Sequence, residues 1–140
     1  EGLPKSEMFG GTATLVVIDD LMNETNDTVA NLFTKISHHR SVSVIYITQN
    51  VFHKNKQSRT ISLNTHYMVL FKSPRDAGQI AVLGRQLYPE HSKFLVEAFK
   101  DATSTPHSYL LLDLRPETGE NYRVRTNIFL GDQQIVYNPK

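Results

Sequence analysis

Asp19 and Asp20 follow the apolar run Leu15-Val16-Val17-Ile18 with no polar residue between. A run of that length and character reads as a buried strand, which puts both carboxylates at its mouth. Neighbouring carboxylates in that place suit metal-assisted phosphate chemistry. Asp19 would hold Mg²⁺, mostly through water, and Asp20 would orient the water that attacks a γ-phosphate or take its proton. A second apolar run, "SVSVIYIT" at residues 41–48, ends on Gln49 and Asn50. An amide at such a tip is placed to sense the same phosphate. Each piece has a plain alternative: the acids as a turn or helix cap, and Gln-Asn as an ordinary loop. Their pairing on successive strands is what gives the chemistry weight.

The segment after Gln49 is locally basic. His53, Lys54, Lys56 and Arg59 fall within "QNVFHKNKQSR", residues 49–59, which reads as a loop. It is either solvated or touches nucleic-acid phosphates, with Lys54, Lys56 and Arg59 as the contacts, and Phe52 would anchor it. Glu24 is a less direct substitute for Asp20, one helical turn past the strand. The six histidines show no metal-ligand spacing. Asp113, inside an apolar strand, reads as a structural or edge residue.

The elements that position these groups follow from the hydrophobic pattern. After the first strand, cap-forming residues at 23–28 precede Val29, Leu32, Phe33 and Ile36, whose spacing predicts an amphipathic helix. The second strand is residues 41–48 and the third "HYMVLF", residues 66–71. Ser73 and Pro74 are placed to start a helix carrying Ala77, Ile80, Ala81 and Leu87. A further helix is predicted from about residue 91 to residue 100. Strands at 108–114 and 122–129 form a hairpin, and a short strand follows at 135–137. Strand and helix alternate, so the class is α/β, and the apolar first three strands are expected to run parallel.

Bulk properties agree with a globular domain. The chain has 140 residues, a hydrophobic share of 39% and a charged share of 21%, an ordinary composition. No apolar run is long enough to span a bilayer, and no signal peptide opens the chain. Cysteine is absent, which removes disulfides, zinc–cysteine sites and a thiol nucleophile and suits an intracellular protein. The formal net charge is +1, so nucleic-acid binding has to come from a local patch.

Taken in order, "LVVIDD", "HHRSVSVIYITQN", "SRTISLNTHYMVLFKSPRD" and "YLLLDLRPETGENYRVRT" resemble the C-terminal half of a viral genome-packaging ATPase. The type is the poxvirus-like one carried by Maverick/Polinton elements and their virus relatives, in the FtsK/HerA division of P-loop motors. The resemblance runs from Leu15 over nearly the whole chain, and "LVVIDD" is its Walker B pattern. It implies a RecA-like (ASCE P-loop) three-layer fold with a mainly parallel sheet and a C-terminal β-hairpin. It also implies a ring-forming motor that burns Mg-ATP to pump double-stranded viral or transposon DNA into a capsid. The partners implied are a homo-oligomeric ring and capsid or portal components, with no membrane. The location would be the nucleus or viral factory of a host cell, or the virion. Asp19 becomes the metal-side acid, Asp20 the catalytic acid and Gln49 the sensor. Arg59 becomes the arginine finger that reaches the next subunit's phosphate, with Arg40, Arg75 and Arg85 as rivals, and the basic segment becomes a pore loop on DNA.

The chain departs from that family in one respect. Gly-x-x-x-x-Gly-Lys-Ser/Thr is absent: Gly10-Gly11 leads to Thr12-Ala13, and Lys5-Ser6 has no glycine loop before it. The phosphate cradle is therefore missing. In the family its strand lies in mid-sheet, between the sensor strand and the "HYMVLF" strand. Residues 1–140 are thus expected to be a single unit, the C-terminal portion of a longer P-loop ATPase domain, inactive as it stands. Two other readings remain: a two-metal nuclease using Asp19 and Asp20, which lacks a further acid on the second strand, and a non-hydrolysing DNA-binding or assembly module.

Overall fold

The computed structural model describes residues 12–19, 27–36, 41–49, 56–74 and 77–140. The chain divides into two compact units, Glu1–Thr65 and His66–Lys140.

In the first unit, β1 (Thr14–Asp19) and β2 (Val42–Ile47) run parallel, with Val16 opposite Val44 and Asp19 opposite Ile47. Side chains alternate across a strand. Val16 and Ile18 are buried on one face, while Leu15 and Val17 stay 60% and 57% exposed on the other. α1 (Asp27–Asn31) continues directly into a π-helical turn, Leu32–Ile36. Val29, Ala30 and Leu32 from this pair of turns join Val16, Ile18 and Val42 in one core, with Phe33 packed against it. Phe33 meets Tyr46 edge-on at 6.4 Å. The helical spacing therefore places the right residues on the sheet side, and the described part of the helix widens into a π turn; its expected last turn at 38–40 lies outside the described residues. There the Thr34 hydroxyl donates to the Ala30 carbonyl at 2.9 Å, the back-bonding that loosens regular helix.

The predicted loop at 49–59 is overturned over its last four residues, while residues 50–55 lie outside the described ones. α2 spans Lys56–Leu63. Ile61 is its anchor, buried in the same core as Val16 and Leu32. Its end is closed by the Asn64 side-chain amide, which donates to the Thr60 carbonyl at 2.8 Å, and by the Thr65 hydroxyl, which donates to the Ile61 carbonyl at 2.8 Å. One buried isoleucine in a polar octet is too faint a pattern for periodicity to register.

The second unit is built on a four-stranded antiparallel sheet in the order β3-β4-β5-β6. Its strands are β3 (Tyr67–Phe71), β4 (Tyr109–Asp113), β5 (Val124–Thr126) and β6 (Ile135–Tyr137). Between β3 and β4 come α3 (Ala77–Leu87), a 3₁₀ turn (Pro89–His91) and α4 (Phe94–Ala102). The register puts Met68, Leu112, Val124 and Tyr137 on one face of the sheet. α4 lies against that face through Leu95, Ala98, Phe99 and Ala102. Tyr137 ties β6 to it, its hydroxyl donating to Asp101 Oδ2 at 2.7 Å.

The α/β class stands, and so does the antiparallel hairpin of β4 and β5. The described strands form two sheets, one parallel and one antiparallel. β1 and β2 are the parallel pair, whereas β3 pairs antiparallel with β4, Tyr67 facing Asp113 and Phe71 facing Tyr109. β4 carries Leu110, Leu111 and Leu112, all enclosed, and such a strand needs a neighbour on each edge. An apolar run carries no information on strand direction, and it does not guarantee burial on both faces either, since Leu15 and Val17 of β1 stay exposed. β5 is also shorter than predicted; α3 is described from Ala77, and residues 75 and 76, between it and the expected Ser73-Pro74 start, lie outside the described residues.

Candidate functional site

Because β1 and β2 are parallel, their carboxyl ends lie on one side, the side where open parallel sheets bind ligands. Asp19 is the last residue of β1, paired in register with Ile47. Gln49 stands two residues beyond Ile47, and both Asp19 and Gln49 are exposed. The fold thus brings these two predicted residues to the same sheet end. Asp20 and Asn50 lie outside the described residues, as do Glu24, Arg40, Lys54 and Arg75. Lys56 opens α2, and Arg59 is exposed on that helix. Arg85 is exposed on α3, in the second unit.

A solvated carboxylate and an amide at one strand end form a sparse donor set. It fits Mg²⁺ of the kind that keeps most of its waters and is shared with substrate phosphates. Among the described residues no group of three His, Cys, Asp or Glu side chains is arranged to hold a metal.

Among the described residues the densest polar arrangement lies elsewhere, around Asp113 at the end of β4. Its side chain is fully enclosed, and Oδ2 accepts from Arg115 Nη2 at 3.0 Å and Arg125 Nη2 at 2.9 Å. Arg115 Nε adds a bond to Oδ1 at 3.1 Å, and its Nη2 also donates to the Thr118 hydroxyl. Arg123 spans the turn, donating to the carbonyls of Asp113 and Arg115 and to Glu120. The Arg115 guanidinium lies over the Tyr67 ring, 4.9 Å from its centre. Burial pushes the Asp113 carboxyl up, but the hydrogen bonds from Arg115 and Thr118 outweigh it and hold the group at about 2. The structural role expected of Asp113 fits this setting: it closes the β4–β5 hairpin. The sequence signal was the arginine triplet at 115, 123 and 125, spaced so that a hairpin folds it back on position 113.

A cleft of about 570 Å³ runs beside α4, lined by His91, Lys93, Phe94, Glu97, Asp101 and Tyr137 among others. None of the predicted site residues lines it. Among the described residues no helix is long and apolar enough to cross a membrane. No protein-family model matches the sequence, and neither a curated protein nor a solved structure matches it.

Proposed function

We propose that this chain supplies the Walker B and sensor strands of a RecA-like motor ATPase that packages or translocates double-stranded DNA, working as a homo-oligomeric ring at a capsid. The observation that carries the reading is the placement of Asp19 and Gln49 at one end of a parallel strand pair. In that arrangement Asp19 would hold Mg²⁺, Asp20 next to it in sequence would take the proton of the attacking water, and Gln49 would orient that water or report the γ-phosphate. ATP bound with Mg²⁺ supplies the phosphoryl chemistry; the side chains position it.

Within this reading, the glycine-rich phosphate loop that the sequence lacks would come from a segment outside these 140 residues.

The test is ATP turnover by the motor assembled with its phosphate-loop segment. Asp20→Asn should abolish turnover while nucleotide stays bound, because the amide is nearly isosteric but cannot take a proton. Asp19→Asn should also weaken Mg²⁺-dependent nucleotide binding. Gln49→Ala should leave ATP affinity near normal and slow hydrolysis. Unchanged turnover in both Asp variants would sink the assignment.

A further inference from the structure

We draw no further inference here: the strongest candidate, the exposed apolar patch on the outer face of the antiparallel sheet where Phe71 and Phe129 flank the Tyr109 ring beside Val69, carries nothing because nothing in the structure shows what covers it.

Discussion

At the residue scale, the best-held charge among the described residues is not the exposed Asp19 at the end of β1 but Asp113. Its carboxylate is enclosed and takes hydrogen bonds from two arginines, so removing it strands cations that were placed to meet it. Breaking a buried pair from one side typically costs 3–5 kcal/mol. Arg115 is 42% exposed and can rehydrate, which puts the expected loss for Asp113→Ala near the lower figure, about 3 kcal/mol. Urea unfolding followed by tyrosine fluorescence checks this, since five of the six tyrosines lie in the unit that contains Asp113. The pH dependence has a definite sign. The folded carboxyl sits at about 2 against an ordinary 3.8, so its stabilisation is complete above the unfolded value and fades as pH falls through 2. The span corresponds to roughly 2 kcal/mol. Asp113→Asn should flatten the acid limb of the stability profile between pH 4 and pH 2; an acid limb as steep as that of the unmodified chain would show that another carboxylate governs it.

At the element scale, two glycines in α3 make opposite predictions. A Cβ on Gly84 would lie 2.8 Å from the Ser92 carbonyl oxygen and 3.3 Å from Leu95 Cβ. Glycine there lets α3 approach the turn that leads into α4. Gly84→Ala has to push backbone apart, and overpacking of that kind costs about 1–3 kcal/mol. Gly78 meets nothing within 4 Å of its Cβ position. Gly78→Ala restricts the unfolded chain at no steric cost and should stabilise by about 0.5 kcal/mol. Thermal melts of the two variants should move in opposite directions; a shared direction would mean that the α3–α4 packing is looser than described. Helix α2 teaches a different lesson about elements: a single enclosed side chain, Ile61, orients eight residues, and the orientation decides which way Arg59 points.

At the scale of the whole molecule, the two units differ in how completely their sheets are dressed. β4 has neighbours on both edges, and Leu110, Leu111 and Leu112 are enclosed. β1 and β2 form a sheet of two, with Leu15, Val17, Ile45 and Ile47 about half exposed on the face away from the core. Parallel sheets are normally covered on both faces, and local stability follows buried contacts. Amide hydrogen exchange should therefore be slowest at Leu110–Leu112 and clearly faster at Val16–Ile18 in the isolated chain. If the two sets exchange at one rate, the units unfold together.

The sequence alone determined which segments are apolar enough to be strands, which helical face is buried, and that Asp19 and Gln49 each end an apolar run. Those are local facts, set by side-chain type and period. The parallel direction of β1 and β2 was also legible, because a helix between two apolar runs returns the chain to the same end. Only the tertiary structure decided that β3 turns antiparallel against β4, since direction depends on which enclosed strand needs an edge partner. Only it decided that the basic segment ends in a helix, since the anchoring of Ile61 is a long-range contact. And only it gathered Arg115 and Arg125 onto Asp113, since a hairpin has to close before residues twelve apart in sequence can share a carboxylate.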